Sequence, residues 1–345
     1  MAIKVSASTA CSGCRQSLLK NGGALTVFLV LVFFCLSAGA AQNPEETLRA
    51  IVKVRSRVPE NARTARILGT EREGNGVVID SNGLILTIGY LILEADAIAV
   101  VGPEGEPIEA AFVGYDHDSG FGLIRASRPL SVTPMKLGRS SDLKEGGGIL
   151  VSAHGGTGSA QAARVVSRRE FTGSWEYLLE DAIFTSPPHP NFGGAAMIGI
   201  DGRLLGIGSL MTRIKLPGFG SVLSNMFVPI DLLKPILADL IENGRSQKPP
   251  RPWLGVNAEE VRGRVFVNRV TAGGPADRAG LKAGDIVLEV DKKPVTGLAD
   301  FYRNVWAIGR AGVDVPLRIL KGSRIRNIIV HTADRYRFLV WKKRP

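Results

Sequence analysis

The sequence predicts a mainly β protein with two folded units: an all-β sandwich or barrel from Ile51 to Ile230, then a small α+β module from Trp253 to about Thr332. Three observations predict it. The first stretch repeats short runs of aliphatic and β-branched residues, and closely spaced Gly, Asp and Asn turns punctuate them, the signature of short antiparallel strands. The second stretch alternates such runs with one amphipathic segment over about 80 residues, the pattern of a mixed module. Between them, Gly244-Arg-Ser-Gln-Lys-Pro-Pro-Arg-Pro252 has too much proline and too little apolar content to fold alone and reads as a semi-rigid linker over 244–252. At 345 residues, 45% hydrophobic and 22% charged, the chain has material for two cores.

Ahead of the first strand, residues 1–40 carry Lys4, Arg15 and Lys20 and no acid, then an apolar run from Ala24 to Leu36 and the pattern Ala38-Gly39-Ala40. This is the order of features in a secretory signal peptide, which implies a secreted or periplasmic protein. Residues 22–41 are also about long enough to span a bilayer, so a retained inner-membrane anchor is the alternative. The three cysteines, Cys11, Cys14 and Cys35, all lie in the leader. Cleavage leaves a chain without disulfides, and one C-x-x-C pair with no second pair or nearby histidine is weak as a metal site. No cofactor or metal is expected. Cleavage also lowers the net charge from +11 to +8. The remaining basic residues are scattered except at Lys342, Lys343 and Arg344, which reads as a solvated surface, with no nucleic acid expected as partner.

In the first unit, Gly76-Val-Val-Ile-Asp80 and Leu84-Ile-Leu-Thr87 flank the turn Ser81-Asn-Gly83, a strand pair. Helical spacing appears from Asp231 to Asn243, where Leu232, Leu233, Ile236, Leu237, Leu240 and Ile241 follow the i, i+3, i+4 rule. Asp231 would cap this helix and Gly244 would end it. In the second unit, strands are predicted near Val265 to Val270, Ile286 to Val290 and Val315 to Leu320, with an amphipathic helix from Leu298 to Ile308. The basic and aromatic tail, residues 335–345, reads as a final strand with a charged end, or as a membrane or partner contact.

Several of these segments resemble the HtrA (Deg) serine proteases. The run Gly74-Asn-Gly-Val-Val-Ile-Asp-Ser-Asn-Gly-Leu-Ile-Leu-Thr87, with Val113-Gly-Tyr-Asp116 and Asp201-Gly-Arg-Leu-Leu-Gly-Ile207, is similar to their protease domain. Val228-Pro-Ile-Asp-Leu-Leu-Lys-Pro235 is similar to that domain's end. Trp253-Leu-Gly-Val256, Gly274-Pro-Ala276 and Ala279-Gly-Leu-Lys-Ala-Gly-Asp-Ile286 are similar to their PDZ domain. The resemblance implies a chymotrypsin-like double β-barrel over 41–243 and an α+β PDZ domain over 253–334.

Carried over residue by residue, the resemblance finds no catalyst. Histidine should follow the Leu-Thr strand end by about three residues, where Tyr90 stands. Gly120 takes the place of the aspartate and Phe192 that of the nucleophile, in Asn191-Phe192-Gly193-Gly194. A triad needs an imidazole base, a carboxylate to orient it and a hydroxyl to attack. A phenol keeps its proton until about pH 10, glycine has no side chain, and a phenyl ring has no lone pair. The histidines are His117, His154, His189 and His331, none upstream of 117, so a slip of register does not recover the base. His117 beside Asp116 and Asp118 is followed by no serine motif, and Ser186 lies six residues before Phe192. The resemblance also places Pro190 where one oxyanion donor belongs, and proline has no N–H. Losing one such donor costs roughly a hundred- to a thousandfold in rate. Tyr90 and Phe192 either fill the former cleft as packing or offer an aromatic ligand surface.

The PDZ resemblance implies binding of a peptide or protein C-terminus as an added strand, its carboxylate held by loop N–H groups. That loop would be Trp253, Leu254, Gly255 and Val256, with Phe301 and Val305 of the predicted helix facing the peptide or packing in the core. The expectation is a pseudoprotease that binds peptides, protein C-termini or unfolded proteins as adaptor, regulator or holdase. The alternatives are an active serine endopeptidase with an unrecognised catalytic group, and a structural subunit, as a homo-oligomer or beside active relatives.

Overall fold

The computed structural model describes residues 44–341; the predicted leader with its cysteines, and Lys342, Lys343 and Arg344, lie outside the described residues. A short helix α1 (Pro44–Arg49) leads into six strands, β1 (Ile51–Arg57), β2 (Glu71–Val78), β3 (Leu84–Ile88), β4 (Ala97–Val101), β5 (Pro107–Tyr115) and β6 (Phe121–Ala126), with the single turn α2 (Ala65–Leu68) between β1 and β2. They close into a barrel in the order β1-β2-β3-β6-β5-β4. Strand β1 shows why: Val52, Val54 and Ser56 point inward while Arg55 and Arg57 face solvent, the period of two that a half-buried strand imposes.

Strands β7 (Gly148–Ser152), β8 (Ala160–Gly173), β9 (Tyr177–Ser186), β10 (Ala196–Ile198), β11 (Leu204–Leu216) and β12 (Gly220–Pro229) close a second barrel in the order β10-β11-β12-β9-β8-β7. One apolar cluster runs through both barrels, from Val52, Leu86 and Ile124 to Phe184, Ile207 and Val228. Helix α3 (Leu237–Asn243) follows. It is shorter than the 231–243 predicted, because Pro235 lacks the N–H a helix needs and disfavours helical backbone before it. Asp231 is therefore no cap: it accepts from the Ser141 N–H at 2.8 Å and from Lys234. Gly244 does end the helix, at φ 72°.

The C-terminal module is a sheet of β13 (Val256–Val261), β14 (Arg264–Val270), β15 (Ile286–Val290), β17 (Asp314–Lys321) and β18 (Arg324–His331), in that order, with β16 (Lys293–Pro294) paired to β15. Helices α4 (Pro275–Arg278) and α5 (Leu298–Trp306) complete it. The predicted linker has no regular structure, yet it is tied to its surroundings: Gly244 O accepts from Tyr115 N at 3.0 Å, Arg245 pairs with Asp334 and Arg251 with Asp118. The tail corrects the expectation of a final strand. Residues 335–338 form a 3₁₀ turn, and the chain then returns to the first barrel, where Val340 N donates to Glu94 at 2.8 Å. No described helix is long and apolar enough to cross a membrane.

This return covers the ring of His117, a residue half-buried as a whole. Its ring sits 4.6 Å from that of Tyr115 and 4.2 Å from that of Tyr336, and both ring nitrogens are shielded and take no partner among the described residues. Burial, then the charges of Arg335 and Arg245, hold its pKa well below the ordinary value; Asp116 and Asp118 flank it in sequence. The folded protein therefore keeps His117 neutral while the unfolded chain protonates below about pH 6.5. More protons on the unfolded state means stability that falls as pH drops through that value. His117→Phe should remove about 2 kcal/mol of the stability difference between pH 7 and pH 5, read from urea unfolding at each pH.

Candidate functional site

The turn after β3 carries Tyr90, and its Gly89 N–H donates to Gly120 O at 2.7 Å. Gly120 ends the loop before β6 with φ +82°, a conformation open to glycine at little cost. Phe192 lies in the turn that enters β10, where its carbonyl accepts from Ala195 N at 3.0 Å. A Cβ on neighbouring Gly193 would stand 2.8 Å from Tyr90 Oη. The fold thus gathers Tyr90, Gly120 and Phe192 at the junction of the two barrels.

Their chemistry is that of packing and structural hydrogen bonds. Tyr90 Oη donates to Ser209 O at 3.0 Å, and burial pushes its pKa well above the ordinary phenol value. It holds a proton and cannot serve as a base near neutrality. Its ring packs against the barrel core, and Phe192 is half-buried. Pro190 is exposed. The next N–H, that of Asn191, donates to His189 Nδ1 at 3.1 Å, while His189 Nε2 lies 3.0 Å from Ser159 O. That pair of partners makes Nε2 the protonated nitrogen and His189 a loop anchor.

Asn75, which sequence reading passed over, pins this turn. Its Nδ2 donates to Asn191 O and Gly193 O, both at 3.0 Å, and its Oδ1 accepts from His154 N at 2.9 Å. The other histidine partners are Gly102 O for His154 and Asp314 for His331. No histidine ring takes a serine hydroxyl as its partner among the described residues.

The second constellation surrounds the predicted carboxylate loop. The N–H groups of Leu254, Gly255 and Val256 converge on one carboxylate, at 2.8, 2.7 and 2.9 Å. Gly255 has φ +83°, the positive backbone angle that turns successive N–H groups to one side. The carboxylate is the chain's own Glu176, from the tip of the β8–β9 hairpin. Trp253 takes no part, since its N–H donates to Ala333 O at 3.1 Å and its ring packs on Phe338; this corrects its place among the binding residues.

The same tip continues along the edge of β13, where Ala258 N donates to Ser174 O at 2.9 Å. Tyr302 of α5 clasps it from the other side, donating to Gly173 O at 2.9 Å and accepting from Glu176 N at 3.1 Å. Burial raises the pKa of Glu176, against the pull of the three N–H donors and of Arg335. With the tip seated, Phe301 and Val305 are 0% and 1% exposed and belong to the module's core cluster; of the two expectations for them, packing describes this state and a free groove-lining surface does not. On that helix Tyr302 reaches the groove. Its spacing among Leu298, Phe301 and Val305 marks it as inward-facing, and nothing local marks its hydroxyl as a clasp.

Comparison with known proteins agrees with both halves. The trypsin-like peptidase domain family matches residues 74–207 and the PDZ domain family matches residues 252–332. The chain is 28% identical over 267 residues to the periplasmic pH-dependent serine endoprotease DegQ of Escherichia coli K12, covering 73% of this chain and 57% of that protein. It is 28% identical to a probable periplasmic serine endoprotease, DegP-like, of Pseudomonas fulva, covering 77% and 58%. The chain thus spans a little over half the length of these relatives. Among solved structures, it superposes on the HtrA-type protease AlgW with a tripeptide at a TM-score of 0.50 and 20% identity, over 84% of this chain and 97% of that one. It superposes on a serine endoprotease from Yersinia pestis at 0.50 and 21%, over 85% and 98%.

Proposed function

Because the chain belongs to the HtrA (Deg) family of trypsin-like proteases with a PDZ domain, we propose that it is an exported pseudoprotease that binds peptides or protein C-termini and cleaves none. Adaptor, regulator and holdase are the roles such binding serves. The observation that carries this reading is the content of the barrel junction. Where the family resemblance puts base, orienter and nucleophile, the chain has a phenol hydrogen-bonded to Ser209 O, a glycine and a phenyl ring. Pro190 removes an oxyanion donor on top of this. The leader and the periplasmic relatives support the envelope as the compartment.

The PDZ domain supports the binding half: three N–H groups converge on a carboxylate and a β-strand edge runs beside it, the two elements by which C-terminal peptides are captured. The full chain incubated with unfolded, fluorescein-labelled casein should release no fragments above the buffer control. Cleavage that His117→Ala or Ser186→Ala abolishes would overturn the reading.

A further inference from the structure

The peptide groove is filled by the protein itself. Ser174 O meets the β13 edge as a peptide strand would, and the Glu176 carboxylate sits where the three loop N–H groups converge. We propose that the hairpin tip Gly173–Glu176 is a built-in ligand of the PDZ domain, its side-chain carboxylate standing in for a C-terminal one, so that a peptide C-terminus binds only by displacing Glu176. The inference rests on the reading of this domain as a peptide binder and adds how that site is controlled.

Three features beyond the hydrogen bonds support it. Glu176 has φ +56°, an uncommon angle for a residue with a side chain, and such outliers persist where surrounding contacts enforce them. The tip is held on both flanks: Arg335 Nη1 donates to Trp175 O at 3.0 Å, and Arg303 pairs with Glu170 and Glu180 on the two strands of the hairpin. Loop and tip lie 78 to 80 residues apart in the chain, so chain connectivity does not force them together. A carboxylate is also the group whose departure leaves the most behind, three buried N–H donors with no acceptor. A carboxylate-terminated peptide supplies that acceptor again; an amidated peptide does not supply the charge.

Occupancy by the tip lowers apparent peptide affinity by the fraction of time the groove is open. The test uses the full chain, wild type against Glu176→Gly, which keeps the backbone angle while deleting the carboxylate. Tyr302→Phe, which removes only the clasping hydroxyl, is a second variant should the first fold poorly. Two readouts are taken: hydrogen exchange of the 254–256 amides, and fluorescence anisotropy with a pool of fluoresceinated heptapeptides randomised at their last three positions. The pool is used as free acid and as C-terminal amide. The expected result is faster exchange at 254–256 in the variants and roughly tenfold tighter binding of the free-acid pool, with the amide pool unchanged. Unchanged exchange in both variants overturns the built-in ligand, as does equal binding of the acid pool by wild type and variants; either leaves peptide binding standing. Faster exchange with no binding of either pool by any form overturns the peptide-binding reading itself, and the proposal with it.

Discussion

Replacing Gly194 by alanine is expected to destabilise the double barrel by about 2–5 kcal/mol, the sum of an overpacked contact and a left-handed backbone. A Cβ there would lie 1.9 Å from Asn75 O and 2.9 Å from Thr87 Oγ1, at φ +74°. The obstacle is the backbone of β2, which pairs with both β1 and β3 and has nowhere to retreat. Hydrogen exchange of the β10 and β11 amides should show the loss directly. Gly120→Asp is the contrasting case: φ is +82° there too, but the nearest atom to a Cβ is Tyr177 Oη at 3.4 Å. Aspartate tolerates this backbone better than most residues, so a cost of only about 1 kcal/mol is expected. If Gly194→Ala proves as mild as Gly120→Asp, the close approach is not what fixes glycine at 194. The contrast also separates the two glycines: 194 is required by the fold, whereas 120 has room for a side chain.

Arg72→Met is expected to cost about 3–5 kcal/mol, the range for breaking a buried charged network by removing one member. Arg72 is 6% exposed. Its guanidinium donates to the carbonyls of Gly69, Tyr90 and Leu93, at 3.1, 2.8 and 2.9 Å, and to Thr64 Oγ1 at 2.8 Å. Thr64 passes the link on to Glu94, whose carboxylate also receives the N–H groups of Thr64 and Val340. Burial lowers the Arg72 pKa to about 10, against the pull of Glu94, and it remains charged at neutral pH. Without it three carbonyls lose a donor, and the Glu94 carboxylate, still held by Arg63, Thr64 and Val340, loses its counter-charge. Arg72→Lys should rescue little, because an ammonium cannot match a fork of donors spread over four acceptors. The unfolding midpoint of the first barrel checks both variants; full rescue by lysine would mean that charge alone matters at this site.

Much of the fold was legible because its rules are local. Short aliphatic and β-branched runs placed β2 and β3, a glycine turn marked the break between them, and the strands predicted at 265–270, 286–290 and 315–320 lie within β14, β15 and β17. Locality also explains the misses. The spacing of Leu232 to Ile241 is helical through Pro235, but the ring of that proline overrides the pattern. The tail 335–345 reads as strand from its aromatic and aliphatic residues, yet residues 335–338 form a 3₁₀ turn and β18 stays the edge of its sheet. The aromatic residues of the tail instead find partners on Tyr115 and Trp253.

The candidate site divides in the same way. Which groups stand at the barrel junction is a matter of residue identity: Tyr90 brings a phenol, Gly120 no side chain, Phe192 a phenyl ring and Pro190 no N–H, so the sequence by itself determined which functional groups those positions offer. The family resemblance also pointed to the loop at Gly255, which has φ +83°. Only the tertiary structure decided that this loop is already filled, and by what. Glu176 reads in the sequence as one acid at a hairpin tip, and Tyr302 as one more apolar position on a helix. Their roles come from hydrogen bonds between segments 78 to 129 residues apart, set by how the two domains dock, and a contact of that range leaves no trace in the local pattern of either partner.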